Sequence, residues 1–229
     1  MTRRLVAKVA AVAVTAFARV VTGVRPNWVG VLPAPGPRVY FANHASHGDF
    51  VLIWTVLPPA LRRRTRPVAG ADYWQKDRVR RFLGRDVFDA VLIERGRAAR
   101  SADPVGRMTA AVDDGSSLIL FPEGTRNMTE APLLPFKAGL FHVAAQRPDA
   151  DLVPVWIENL NRVMPKGAFL PVPLLCTVTF GAPLRLEPGE TKAAFLARAE
   201  AALLALAPPA TAARAARPTL SPTRPANTP

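Results

Sequence analysis

His44 is followed five positions on by Asp49 within the run Asn43-His44-Ala45-Ser46-His47-Gly48-Asp49. A neutral imidazole can take a proton from an alcohol as that alcohol attacks an acyl carbon, and the imidazolium so formed needs a carboxylate beside it. If the chain turns into a helix between the two residues, the Asp49 side chain comes back to the ring. Asn43 or Ser46 could hold such a turn through side-chain-to-backbone bonds. The plain alternative is a His and an Asp that only cap the next helix, and the heptapeptide alone leaves both readings open. The spacing His44-x-x-His47 with Asp49 also resembles a metal-ligand set. Zinc and iron sites need three or four ligands, however, and the remaining histidine, His142, falls inside a predicted helix. No metal is expected, and His47 is read as a loop residue that lines the site or is exposed.

Two further clusters carry charge at the ends of apolar runs. In Val91-Leu92-Ile93-Glu94-Arg95-Gly96-Arg97, a guanidinium at a strand end can bind a phosphate in bidentate fashion; the bland reading is a solvated arginine. In Leu118-Ile119-Leu120-Phe121-Pro122-Glu123-Gly124-Thr125-Arg126, proline and glycine bracket Glu123 and force a tight turn. Gly124 lets the backbone approach a ligand closely. Arg126 would form an anion clamp with Arg95 if their strands are neighbours. Glu123 is expected to accept a hydrogen bond from a substrate hydroxyl or to pair with one of these arginines. Lys137 stands at a predicted helix start, where a cation opposes the helix dipole, so an anion-binding role is expected.

The elements that must position these residues alternate. Strands are predicted over Arg38 to Ala42, Phe88 to Ile93, Ser117 to Phe121, Leu152 to Ile157 and Leu174 to Phe180. Helices are predicted over Phe50 to Leu57, Tyr73 to Leu83, Pro104 to Val112, Ala138 to Gln146 and Thr191 to Leu206. Such alternation implies an α/β layer architecture. His44 then follows a strand, where open α/β sheets place their sites. Residues 25–37, with four prolines and two glycines, read as a loop. Three units result: an N-terminal helix over 1–24, a catalytic body over 25–206, and a Pro/Ala/Arg-rich tail over 207–229 that has too few large apolar residues to offset its ordering entropy.

Residues 1–24 carry Arg4, Lys8, Thr15, Arg19 and Thr22 on one helical face and Leu5, Val9, Val12, Ala16 and Val20 on another. This periodicity favours an amphipathic helix at a membrane interface. The competing readings are an amphipathic helix covering the core and a signal peptide ending near Ala16-Phe17-Ala18. A net charge of +13 favours anionic partners. The run Arg62-Arg63-Arg64-Thr65-Arg66 and the cluster Lys76, Arg78, Arg80, Arg81 and Arg85 form its footprint. Nucleic-acid binders interleave such charge with aromatics, whereas here aromatics make up 7% and sit mostly in apolar runs. The expected partner is therefore an anionic membrane surface, or a phosphate-bearing substrate, and not nucleic acid. Cys176 is the single cysteine, which excludes an intramolecular disulfide and a cysteine-based metal site. It falls mid-strand, and no serine has a nucleophile-elbow pattern, so a covalent intermediate is not expected.

The Asn43-His44-x4-Asp49 block, the Arg95 block and the Phe121-to-Arg126 block stand in the order seen in the glycerolipid acyltransferase superfamily, the family of lysophosphatidate (1-acyl-sn-glycerol-3-phosphate) acyltransferases. Leu152-Val153-Pro154-Val155 resembles its fourth block, and the likeness runs from about Arg38 to Leu184. The resemblance implies a mixed sheet flanked by helices. It implies acyl transfer from acyl-CoA or acyl carrier protein to a lysophospholipid hydroxyl, giving phosphatidic acid, with no cofactor beyond the acyl donor. His44 would be the general base and Asp49 would orient it. Arg95 would bind the acceptor phosphate with Arg126 assisting, and Glu123 and Gly124 would shape the acceptor site. Asn43, Thr125 and Lys137 would complete the substrate-binding set, and Pro154 would line the acyl pocket. The implied location is the cytoplasmic face of the membrane, peripheral or monotopic. Two positions depart from the pattern: His47 replaces a bulky, often aromatic residue, and Asn127 a common serine. The alternatives are the same chemistry on glycerol 3-phosphate, another lysophospholipid or a lyso-aminolipid, or a non-catalytic basic membrane-binding module.

Overall fold

The computed structural model describes residues 2–94, 103–158, 175–209 and 211. Arg95, Arg97 and nearly all of the tail after Ala207 lie outside the described residues. Seven strands, β1 (Arg25–Trp28), β2 (Arg38–Ala42), β3 (Thr65–Gly70), β4 (Val91–Ile93), β5 (Ser117–Leu120), β6 (Asp151–Glu158) and β7 (Thr177–Phe180), form one sheet in the order β1-β7-β6-β2-β5-β3-β4. From β6 to β4 every neighbouring pair is parallel. β7 runs antiparallel to β6, and β1 is parallel to β7, so the sheet is mixed. The helices are α1 (Thr2–Thr22), α2 (Asp49–Val56), α3 (Pro59–Arg62), α4 (Ala71–Trp74), α5 (Arg78–Phe82), α6 (Pro104–Asp113), α7 (Gly139–Gln146) and α8 (Lys192–Leu204), with a π-helix over Leu83–Val87.

The central strands β2 and β5 are buried at every position. Strands covered on both faces need apolar residues in unbroken runs, which is what Val39-Tyr40-Phe41-Ala42 and Leu118-Ile119-Leu120 supply. Alternate side chains divide between two cores. Tyr40, Ala42, Ile119 and Val153 pack toward α1, α2 and Trp74 of α4. Val39, Phe41, Leu118 and Leu152 pack toward α6, α7 and α8. The helix starts follow local chemistry. Asp103 caps α6 by accepting the Gly106 amide at 2.8 Å, with Pro104 in the first turn. Thr191 caps α8 through the Ala194 amide.

Several expectations change. The proline-rich segment 25–37 contains β1, which tolerates Pro26 because it is an edge strand. The basic run at 62–66 enters β3, and its Arg66 pairs with Asp89 at 3.1 Å. The single helix expected over Tyr73 to Leu83 is interrupted. Asp77 caps a new start at α5 by accepting the Arg80 amide at 2.8 Å, and the turn then widens into the π-helix where Gly84 packs on Trp74. A Cβ on Gly84 would lie 2.8 Å from that ring. The strand expected from Phe88 begins only at Val91, after Asp89 takes a left-handed φ of 48°.

Helix α1 is long and apolar enough to cross a membrane by length and composition, yet only 22% of its apolar window is buried. It is therefore not a core helix. Its small-residue face, Ala7, Thr15, Ala18 and Thr22, packs on the body, and Arg62 reaches across to Thr15 Oγ1 at 3.3 Å. The face carrying Leu5, Val9, Val12 and Val20, together with Phe17, is turned outward.

Candidate active site

His44 follows β2 and Glu123 follows β5, and these strands are parallel neighbours. The register that pairs Phe41 with Leu120 carries His44 and Glu123, each three residues farther on, to the same level beyond the sheet. Glu123 Oε1 accepts the backbone N–H of His44 at 2.7 Å, and Oε2 accepts the N–H of Leu134 at 2.8 Å. The carboxylate is 1% exposed. Burial pushes its pKa above the ordinary value, although both backbone donors and His44 pull the other way. The His44 carbonyl accepts the Asn127 amide at 2.6 Å, so the two loops are tied from both sides of the histidine.

The imidazole is fixed as firmly as its backbone. Asp49 opens α2, and its Oδ2 stands 2.9 Å from His44 Nδ1 while accepting the amides of Ala45 and Ser46 at 2.7 and 2.8 Å. These bonds are the turn that the heptapeptide requires. The start of a helix also favours a negative charge. A carboxylate only accepts, so Nδ1 donates, and Nε2 keeps its lone pair. The ring lies on Phe121 at 4.1 Å and 18°.

His44 opens into a cleft of about 450 Å³. Arg126, Lys137, Thr125 and His47 share its lining with an apolar wall that includes Phe50, Val68, Ile93, Met108 and Leu120. Gly124 holds φ at +70°, and a Cβ there would lie 3.1 Å from Lys137 Cγ, so the lysine stem lies close over the turn. The Lys137 amide donates to the Pro122 carbonyl at 2.7 Å. The cleft thus combines a base, cations and a hydrophobic trough. Among the described residues no group of three or more His, Cys, Asp or Glu is placed to hold a metal ion. Burial raises the Cys176 thiol to about 11, which leaves it protonated near neutral pH.

A sequence model of the family described as Acyltransferase matches residues 28–158. The chain belongs to the acyltransferase family. The match encloses His44, Asp49, Glu123, Arg126, Lys137 and Pro154. Among similar proteins are the 1-acyl-sn-glycerol-3-phosphate acyltransferase of Cocos nucifera, 28% identical over 66% of this chain and 47% of that protein, and that of Saccharomyces cerevisiae, 31% identical over 59% and 44%. The chain spans about half the length of these relatives. The crystal structure of the 1-acyl-sn-glycerophosphate (LPA) acyltransferase PlsC from Thermotoga maritima superposes with a TM-score of 0.65, covering 86% of this chain and 78% of that one at 19% identity. This likeness bears on the fold, and it is the mixed, helix-flanked sheet that the two share.

Within this acyltransferase-family core, the expected site residues separate into two groups. His44, Gly124, Thr125, Arg126 and Lys137 line the cleft, with Asp49 directly behind His44. Asn43 does not reach into the cleft. Its amide is engaged with the Ile157 backbone, accepting from N–H at 2.7 Å and donating to C=O at 3.0 Å, which locks the loop to β6. Among the described residues Glu123 pairs with no guanidinium and does not line the cleft; its two oxygens hold backbone amides. Pro154 lies on β6 beside Gly181, away from the cleft lining. β3 separates β4 from β5, so the strands leading to Arg95 and Arg126 are not neighbours as the clamp expectation required. Arg95 itself is outside the described residues. The sequence reading missed Phe121 as the platform for His44 and Tyr73 as the platform for His47, stacked at 4.9 Å. Phe121 stood within the quoted block, whereas nothing in the local pattern marked Tyr73.

Proposed function

We propose that the chain transfers a fatty acyl group from an acyl thioester, acyl-CoA or acyl-acyl carrier protein, to the free hydroxyl of 1-acyl-sn-glycerol 3-phosphate. The observation that carries this reading is His44, with Nδ1 committed to Asp49 and its ring opening into a cleft that is cationic at Arg126 and Lys137 and apolar elsewhere. The acceptor hydroxyl attacks the thioester carbon as Nε2 takes its proton. The tetrahedral oxyanion collapses, the carbon–sulfur bond breaks, and the imidazolium returns the proton to the leaving thiolate. Asp49 keeps the ring oriented and offsets its transient positive charge. Arg126 and Lys137 bind the acceptor phosphate. The outward apolar face of α1 seats the enzyme at a membrane interface where the lysolipid acceptor is available, with Arg4 and Lys8 at its N-terminal end for anionic headgroups. The cytoplasmic face is the proposed side, because that is where acyl thioesters are held.

The test is thiol release by the purified protein with long-chain acyl-CoA and lysophosphatidate, beside His44→Ala. Release that requires both the acceptor and His44 supports the reading. Full activity in a folded His44→Ala protein, or failure with both donor classes, overturns it.

A further inference from the structure

The loop after β2 presents a second imidazole to the cleft. His47 makes no contact with Asp49 of the kind His44 makes. Its ring is stacked on Tyr73 at 4.9 Å and 15°, and the Arg80 guanidinium lies 4.6 Å from the centroid of the same Tyr73 ring. Arg80 is fixed in turn by Asp77, which pairs with its side chain at 3.3 Å and caps its helix. A stacked ring of this kind has its plane set before any ligand arrives. Among the described residues, neither ring nitrogen of His47 has a hydrogen-bond partner.

The surroundings define what those nitrogens would meet. Burial first, then the charges of Arg126, His44 and Arg80, hold the His47 pKa below its ordinary 6.5, with Asp49 opposing. Near neutral pH the ring is therefore uncharged and carries one N–H donor. An uncharged donor beside Arg126 adds hydrogen-bond capacity to a cationic site without adding repulsion. In a glycerol phosphate, the phosphate stands only a few bonds from the hydroxyl next to it. A group that binds it must lie close to the base, as His47 does on the same loop as His44. The phosphates of a coenzyme A thioester are far from the reacting carbon and do not meet this condition.

We propose that His47, held by Tyr73 and Arg80, is a specificity-determining residue that donates a hydrogen bond to the acceptor's phosphate monoester beside Arg126. This rests on the lysophosphatidate reading of the cleft. The test is steady-state kinetics with lysophosphatidate and acyl-CoA for His47→Ala, His47→Gln, Tyr73→Phe and Tyr73→Leu. His47→Ala should raise the acceptor KM about tenfold or more, the effect of one hydrogen bond to a charged group, with kcat and donor KM nearly unchanged. His47→Gln keeps a donor and should recover most of the loss. Tyr73→Phe keeps the stack and should match the native protein, whereas Tyr73→Leu should move KM partway. An unchanged acceptor KM in His47→Ala, or a Gln variant as poor as Ala, overturns the inference. A native protein that does not acylate lysophosphatidate overturns the functional reading instead. The inference is then read by NMR of the His47 imidazole during titration with glycerol 3-phosphate: a saturable shift supports it, and none overturns it.

Discussion

Glu123 holds His44 by its backbone, with Oε1 on the His44 N–H at 2.7 Å and the second oxygen on the amide of Leu134. The carboxylate therefore joins the loop after β2 to the segment leading to Lys137, and in the proposed reaction it acts by positioning His44. Glu123→Gln replaces one acceptor with an NH₂ that faces a buried N–H, a cost of about 1–3 kcal/mol. Chemical denaturation should show that loss, with kcat falling because the imidazole is displaced. The pH dependence has a defined sign. Burial raises the folded-state pKa above 4.5, so the folded protein binds this proton more tightly than the unfolded chain. Its contribution to stability is full below about 4.5 and is lost as pH rises through the folded value. The Gln variant should lack that component of the pH–stability profile. A stability equal to that of the native protein at every pH would contradict the positional role.

Asp49 combines two duties in one oxygen. Oδ2 fixes the His44 tautomer and also gathers the amides of Ala45 and Ser46. Asp49→Asn keeps an acceptor for the amides but can no longer stabilise an imidazolium. Turnover should drop roughly a hundred- to ten-thousand-fold, with the fold retained. His44→Ala should fall as far, while its circular dichroism stays native. If the two single variants and their double variant lose the same factor, the pair acts as one unit. Additive losses would separate them.

The parts of the site that depend on short-range chemistry were legible in the sequence. The His44–Asp49 turn is a local hydrogen-bonding pattern, and of the apolar runs β2 keeps its expected bounds while β5 and β6 shift by at most one residue at an end. Arg126 and Lys137 were assigned to anion binding from charge beside turns, and both line the cleft. What was not legible depends on strand order and on contacts between distant segments, which a sequence does not display. The clamp of Arg95 with Arg126 assumed that β4 and β5 touch, and β3 lies between them. Glu123 was read as facing substrate or arginine, because no local signal shows that the amides of His44 and Leu134 converge on it. Asn43 was assigned both to the turn, through side-chain-to-backbone bonds, and to substrate; its amide does bond to backbone, but on β6. Pro154 was placed by resemblance, and its position on β6 beside Gly181 sets it off the cleft. The break between α4 and α5 follows from the Asp77 cap and the packing of Gly84 on Trp74, two features that a helical charge pattern conceals.

Arg126 and His47 line the same cleft and are electrostatically linked. Of the charges acting on His47, Arg126 lowers its pKa most, followed by His44 and Arg80, while Asp49 raises it. The depressed value means that acidification must go below the ordinary 6.5 before the ring gains its proton. Arg126→Gln removes one positive charge and should raise the His47 midpoint, as followed by its imidazole resonances in an NMR titration. A midpoint that does not move in Arg126→Gln would place the guanidinium away from His47 in solution.

Helix α1 offers two faces with opposite demands. Val12 and Phe17 are 70% and 67% exposed, whereas Ala18 is 6% exposed and belongs to the core beneath the sheet. An aspartate at Val12 or Phe17 touches nothing in the body, so thermal stability should change by no more than about 0.5 kcal/mol. Removing that apolar surface from a lipid interface forfeits about 1.5–3 kcal/mol per large side chain. Sedimentation with anionic vesicles should then show about a tenfold or greater loss of binding. Ala18→Leu should behave in the reverse way, costing about 1–3 kcal/mol of stability through overpacking while leaving the outward face intact. Vesicle binding that survives both aspartate substitutions would move the docking surface away from α1, toward the exposed basic residues of α5, Arg78 and Arg81.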